Sequence, residues 1–315
     1  MHVASFPGGL PPEISCGTGQ GICVTIGNFD GVHLGHQALL ATARARADSA
    51  HRRLVTVTFD PHPLEVLAPN LAPPRLTDTS TRLRLLQSCA VDAVLLLPFT
   101  KELATLDSET FVRDILVEGL NARDMLIGYD FSLGKGRAGT GAVLAALGRK
   151  LHYTCERFGP HLIDGEPVSS TRIRQCIRTG DMPGAAALLG RPHCVHGTVI
   201  SGFQRGHKLG FPTANFAPPT VQLPPPGAYA TLAKLGIERF PAVTSVGTNP
   251  TFGGESLTIE THLLDFHRDL YNQDLEIDFI HHLRGQIKFD GPQALRSQIE
   301  ADIAQTREIL ASTKY

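Results

Sequence analysis

His33 and His36 stand three residues apart, with Gly35 between them and Gly27 and Gly31 just before. They follow the apolar run "ICVTI", which reads as a buried strand. They open "LGHQALLATARARADSA", which reads as an Ala- and Leu-rich helix. A strand handing over to a helix through glycines gathers free backbone N–H groups and the positive end of a helix dipole. That suits an anion. Two imidazole donors aimed at one phosphoryl group would stabilise charge as it develops in a transition state. Gly27, Asn28, Phe29 and Asp30 shape the loop in front of them. On residue types alone the pair also reads as two solvated surface histidines. Zinc fits less well, because no third ligand of suitable type lies nearby. The loop is not a Walker A sequence.

Further candidates share this chemistry. In "VSSTRIRQCIRTGD" (168–181), Ser169, Ser170 and Thr171 precede a helix carrying Arg174. Hydroxyls, N-terminal amides and a guanidinium make a phosphate cradle, and the same letters equally make a plain helix cap. In "GFPTAN", Thr213 and Asn215 alternate on an extended segment and so share a face. Hydroxyl and amide oxygens are hard ligands suited to Mg²⁺ carrying ATP phosphates. Gly210, with Gly206 in "SGFQRG" before it, lets backbone amides approach phosphate. Alone, these residues also read as a decorated turn. Glu260, in "LTIETHLLDF", also reads as a solvated strand residue. Asp60 and His62 follow one strand, and Asp130 follows another. Asp60 with Pro61 suits a turn equally well.

These residues need a scaffold, and the pattern supplies two. "ICVTIG", "LVTVTF", "DAVLLLPF", "ARDMLIGYDF" and "LHYTCERF" read as strands. "DTSTRLRLLQSC", "SETFVRDILVEGL" and "GAVLAALGRK" read as helices between them. Continuous apolar strands alternating with helices predict an α/β domain, a parallel sheet covered on both faces. After about residue 190, short β-branched runs broken by Gly and Pro predict an antiparallel barrel or sandwich. "GPQALRSQIEADIAQTREILAS" closes the chain as a helix, with Leu295, Ile299, Ile303, Ile309 and Leu310 at helical spacing. "TGDMPGAAALLGRPH" is the join, and the expected domains are 1–186 and 187–315.

Hydrophobic residues make up 42% of the 315 and charged residues 19%, ample material for two cores. A net charge of -1 argues against nucleic acid or an anionic membrane as partner. Cys16, Cys23, Cys89, Cys155, Cys176 and Cys194 form no C-x-x-C pair and read as reduced thiols. No apolar run approaches the ~20 residues that span a bilayer. "MHVASFPGGLPPEISC" reads as an irregular lead-in without the layout of a secretory signal. The expected location is cytoplasmic. Nothing in the pattern fixes the oligomeric state.

Gly27-Asn28-Phe29-Asp30-Gly31-Val32-His33-Leu34-Gly35-His36 resembles the nucleotidyltransferase superfamily signature, and "SSTRIR" resembles an element of its flavin branch. "TFDPHPLEVL", "IGYDFSLGKGRAGT", "GRPHCVHGTVISGFQRGHKLGFPTANF", "SVGTNPTFGG" and "IETHLLDFHRDLYNQDLEIDFIHHLR" extend the likeness. From about residue 22 to 311 the chain resembles the bacterial bifunctional riboflavin kinase / FMN adenylyltransferases, or FAD synthetases.

The resemblance implies a Rossmann-like nucleotidyltransferase domain followed by a β-barrel riboflavin kinase domain with a closing helix. In the second domain riboflavin and ATP would give FMN and ADP. In the first, FMN and ATP would give FAD and pyrophosphate. His33 and His36 would steady the α-phosphate, and Ser170, Thr171 and Arg174 the leaving β- and γ-phosphates. Asp130, and less strongly Asp60 and His62, are flavin-side candidates. Thr213 and Asn215 would hold Mg²⁺ and ATP, Glu260 would be the base for the riboflavin 5′-hydroxyl, and Arg284 would lie near the substrates. Gln286 stands where relatives often carry an acid, and Ala228 where valine is more usual. A chain with one working activity, a flavin-binding regulator and a transfer-RNA-linked enzyme are the other readings. The intact histidines and Glu260 argue against the regulator. The charge balance and the kinase-like second half argue against the last.

Overall fold

The computed structural model describes residues 1–5, 20–200, 210–216, 220–251 and 254–312. The chain divides into two compact units. One comprises Met1–Pro73 and Asp78–Val168, the other Pro74–Thr77 and Ser169–Tyr315.

The first unit runs β1 (His2–Ser5), β2 (Ile22–Ile26), α1 (Leu34–Ser49), β3 (Arg53–Asp60), α2 (Pro63–Leu67), α3 (Thr79–Ser88), β4 (Ala93–Pro98), β5 (Ala122–Gly128), α4 (Gly141–Leu151) and β6 (Thr154–Phe158). The sheet order is β1-β4-β3-β2-β5-β6. Every pairing in it is parallel. Along β2 the side chains alternate between two cores. Ile22, Val24 and Ile26 join Phe111, Ile115 and Leu144 on one face. Cys23 joins Leu39, Leu40 and Ala43 of α1 and Leu86 of α3 on the other. A strand buried on both faces is predominantly apolar, with Thr25 the polar exception, which is why "ICVTI" shows no alternation.

Two local expectations change. The opening residues, expected to be irregular, include strand β1, which pairs Val3 with Val94. An edge strand of four residues is too short to announce itself by pattern. The helix expected from Ser108 begins there, capped by Asp107, whose carboxylate accepts the Thr110 N–H at 2.8 Å. It continues as a π-helical segment, Phe111–Glu118, whose last bond runs from the Gly119 N–H to the Asp114 carbonyl.

The second unit runs α5 (Ser170–Thr179), α6 (Met182–Leu189), β7 (His193–Ile200), β8 (Ala214–Phe216), β9 (Gly227–Leu235), β10 (Glu238–Thr251), β11 (Gly254–Leu263), β12 (Asp274–Gly285) and α7 (Pro292–Ser312). The six strands close into a barrel in the order β7-β8-β11-β10-β9-β12, which decides between barrel and sandwich. All its pairings are antiparallel. The segment read as the join contains α6, which packs on α5, β7 and β12. The expected divide at 186/187 lies within α6, whereas the compact units part at 168/169.

Inside the barrel, Thr231, Thr244 and Thr261 are fully buried and joined hydroxyl to hydroxyl at 2.8 and 2.9 Å. Thr231 donates onward to the Ala242 carbonyl at 3.0 Å. The closing helix also departs from its simple pattern. Its most buried side chains are Asp302 and Thr306, set among the half-buried apolar residues of the expected stripe. Asp302 tolerates burial because Arg284 of β12 grips it, with Nε at 3.1 Å from Oδ1 and a terminal nitrogen at 2.7 Å from Oδ2.

Candidate active sites

In the first unit the strand order reverses at β2, with β3 on one side and β5 on the other. Ligands of open parallel sheets bind at such a reversal, beyond the carboxyl ends of the strands. The Gly27–Gly31 loop leaves β2 there. Asp60 ends β3, His62 follows it, and Asp130 lies two residues past β5. Topology therefore brings the first-unit candidates to one edge.

The loop is held tightly. The Asn28 carbonyl accepts from Thr58 Oγ1 at 3.2 Å and from the Arg82 guanidinium at 3.1 Å. The same guanidinium donates to the Phe59 carbonyl at 2.9 Å and is itself buried. The Asn28 amide lies 3.1 Å from His62 Nε2, while His62 Nδ1 caps α2 by accepting the Leu64 N–H. Phe29 and Val32 have φ of 49° and 38°, and both are 1% exposed. A β-branched residue there is strained, and such strain persists where the surroundings over-determine it, commonly at functional sites.

His33 is the N-cap of α1. Its Nδ1 accepts the His36 N–H at 3.3 Å, which places the ring proton of the neutral imidazole on Nε2. The His33 and His36 rings stack with centroids 3.6 Å apart. Burial holds the His36 pKa well below its ordinary value, and the neighbouring His33 adds to the effect. His36 is therefore neutral at pH 7. Phe29, in the core beneath the loop, backs the His36 ring at 5.1 Å.

In the second unit Ser169 caps α5, its hydroxyl accepting the Arg172 N–H at 3.2 Å. Capping thus does not draw on Ser170 or Thr171, at the start of the helix. Arg174 lies one turn on and donates through Nε to the Pro74 carbonyl at 2.8 Å.

On the barrel, Asn215 pairs with Glu260 across the β8–β11 ladder. Thr213 Oγ1 lies 3.5 Å from Glu260 Oε2, and the Asn215 amide donates to the Thr213 carbonyl at 3.3 Å. Ala214 and Thr261 are buried inward, so Thr213, Asn215 and Glu260 share the opposite face. The structure brings these three expected residues together. Gly210 has φ of 88° and open space where a Cβ would lie, a conformation that favours glycine. Gly206 lies outside the described residues. Arg284 is engaged by Asp302.

Sequence reasoning missed Arg82, which organises the Gly27–Gly31 loop, and Asp302, which holds Arg284. "TSTRLRL" contains two arginines on a predicted helix, and nothing in the letters shows that Arg82 is the one turned inward.

A parallel sheet with a strained, histidine-capped loop at its reversal point, and a barrel presenting a Thr–Asn–Glu face, are the two halves of an ATP-using double transferase. The FAD synthetase family model matches residues 17–172 and the riboflavin kinase model residues 189–310. The chain belongs to the bifunctional riboflavin kinase/FMN adenylyltransferase family. It is 35% identical to that enzyme of Escherichia coli K12 over 296 residues, covering 94% of this chain and 95% of the relative. It is 36% identical to the Pseudomonas fluorescens enzyme over 297 residues, covering 94% and 95%. A Streptococcus pneumoniae crystal structure described as a macrolide-efflux protein superposes with a TM-score of 0.86 at 29% identity, covering 98% of this chain and 99% of that one. Among the described residues of this chain no helix is long and apolar enough to cross a membrane.

Proposed function

We propose that this chain carries out two consecutive ATP-dependent transfers, riboflavin to FMN on the barrel and FMN to FAD at the parallel sheet. The observation that carries the reading is the convergence of Thr213, Asn215 and Glu260 on one barrel face, in a chain that also carries the His33–His36 cap. Glu260 accepts the proton of the riboflavin 5′-hydroxyl as that oxygen attacks the γ-phosphorus of ATP, and ADP leaves. The oxygens of Thr213, Asn215 and Glu260 are hard donors that fit Mg²⁺. Thr213 and Asn215 would hold it, and when bound it supplies neutralising charge to the phosphates. Gly210 and Gly206 let backbone amides approach them.

At the sheet, an FMN phosphate oxygen attacks the α-phosphorus of a second ATP, and pyrophosphate leaves. The protein's part is to position reactants and neutralise charge. The Nε2–H of His33 and the ring of His36 donate to the α-phosphate oxygens as charge grows. Gly27, Asn28, Phe29 and Asp30 fix the loop beneath them. Ser170, Thr171 and Arg174 take the departing pyrophosphate. Asp130, with Asp60 and His62, faces the flavin side, and Arg284 orients the kinase substrates while Asp302 orients it. On this reading the catalytic division follows 1–186 and 187–315, so α5 serves the first reaction. The cysteine pattern supports a reducing, cytoplasmic setting.

The test is chromatography of the products after incubation with riboflavin, ATP and Mg²⁺. FMN appears first and FAD follows. Failure to form either from its own precursor removes that half of the reading.

A further inference from the structure

Helix α5 is fastened by a residue far along the chain. Gln222, in the connection between β8 and β9, is 8% exposed. Its Nε2 donates to the main-chain carbonyl of Arg174 at 2.9 Å. Its backbone N–H donates to the carbonyl of Arg75 at 2.7 Å, and its neighbour Val221 forms a parallel bridge with Arg75. Its own carbonyl lies 2.8 Å from Nε2 of the buried His193 on β7. The circuit closes where Arg174 Nε donates to the Pro74 carbonyl. One glutamine thus fixes the main chain of Arg174 and also the short segment that holds its guanidinium.

The second bond to the Arg174 carbonyl is not needed to make a helix, because the helical ladder already uses that oxygen. Its effect is to locate the helix. The C-cap, Gly180, has φ of 79°, and a Cβ there would come within 3.2 Å of His282 Nδ1 on β12. The helix is therefore seated at its middle by Gln222 and at its end by the barrel wall.

We infer that Gln222, although it lies in the region matched by the riboflavin kinase model, is a positioning residue for adenylyl transfer. It sets Arg174 for the departing pyrophosphate. The inference rests on the reading of Ser170, Thr171 and Arg174 as the pyrophosphate cradle. Displacing a charge-stabilising group by about 1 Å costs up to ~10²-fold in rate, so a single amide in the support of Arg174 has a measurable effect.

The test uses the full chain with Gln222→Ala and with Gln222→Met, which keeps the volume and removes the amide. The half-reactions are assayed separately, FMN with ATP and riboflavin with ATP, and pyrophosphate is titrated as an inhibitor of FAD formation. For both variants kcat/KM for ATP in adenylylation falls about tenfold and the pyrophosphate inhibition constant rises by a similar factor. Riboflavin phosphorylation stays near wild type. A packing role alone would lower the melting temperature and leave pyrophosphate inhibition where it was. Wild-type ATP kinetics and pyrophosphate inhibition in folded Gln222→Met overturn the inference, as does a proportional fall in both half-reactions. Arg174→Ala separates the two levels. If it leaves pyrophosphate inhibition unchanged, the cradle reading itself fails. If it weakens inhibition while Gln222→Met does not, only the role of Gln222 fails.

Discussion

The imidazole of His33 stacks on that of His36 at 3.6 Å with 17° between the ring planes, and its Nδ1 takes the backbone N–H of His36. One ring thus ends a helix, fixes its own tautomer and shields its neighbour. The first job can be separated from the chemistry of the ring. His33→Asn keeps a capping side chain and loses the imidazole, whereas His33→Ala loses both. His33→Ala should lower stability by about 1 kcal/mol relative to His33→Asn. Both should slow FMN adenylylation by ~10²–10³-fold. Urea melts and the FMN-to-FAD rate check this. Normal FAD formation by His33→Asn would remove His33 from the reaction.

His36 makes stability depend on acid. Its folded pKa lies well below the ordinary 6.5, so below pH 6.5 the unfolded chain binds a proton that the folded chain refuses. The contribution is fully present above pH 6.5 and is lost as pH falls toward the folded pKa, at up to about 1.4 kcal/mol per pH unit. The measurement is the difference in urea midpoint between wild type and His36→Asn at pH 7 and pH 5. The wild type should lose more between the two. Parallel losses would mean that the ring protonates freely in the folded protein.

Glu260→Gln should depress riboflavin phosphorylation by ~10²–10⁴-fold, the usual cost of losing a positioned base. The change preserves size and hydrogen-bonding capacity. Supplied FMN should still become FAD near the normal rate, because that chemistry uses other residues. A folded Glu260→Gln protein that phosphorylates riboflavin normally would mark Glu260 as a solvated strand residue.

Asp302→Ala should destabilise the second unit by roughly 3–5 kcal/mol, since it strands the Arg284 guanidinium without its buried partner. The double variant Asp302→Leu with Arg284→Met should recover much of that loss, because an apolar pair of similar volume carries no desolvation penalty. Thermal melting of wild type, Asp302→Ala and the double variant decides. If riboflavin phosphorylation stays lost in the restabilised double variant, Arg284 has a role beyond holding the helix.

The alternation of strands and helices, the barrel-like second half and the chemistry-bearing loops were legible because each depends on local spacing. β2 is apolar on both faces and is followed by glycines, a pattern only a buried strand and a close-approach loop explain. Thr213 and Asn215 share a face by strand alternation alone. Long-range partners were not legible. Arg82 and Arg84 sit on different sides of one helix, and only tertiary packing chooses which is buried. Asp302 falls at helical spacing from Ile299 and Thr306, but a carboxylate in an apolar stripe makes sense only once Arg284 faces it. The segment read as the join folds as α6, and its packing on β7 and β12, a long-range relationship that local spacing does not announce, joins it to the barrel.

The barrel's three threonines bear on how the chain avoids folding wrongly. Since Thr231 gives its proton to the Ala242 carbonyl, Thr244 must give its own to Thr231, and Thr261 must give its own to Thr244. The relay runs one way across three strands. Sliding β10 by one residue against its neighbours would turn Thr244 outward and put Ser245 or Val243 in its place, leaving a gap in the relay or a hydroxyl at the wrong height. Each orphaned hydroxyl in that buried interior costs about 1–3 kcal/mol. A wholly aliphatic interior would penalise such slippage less sharply. The relay therefore acts as a proofreading key, admitting one alignment of the long β10–β11 hairpin, the alignment that keeps Thr261 inward and so leaves its neighbour Glu260 on the opposite face.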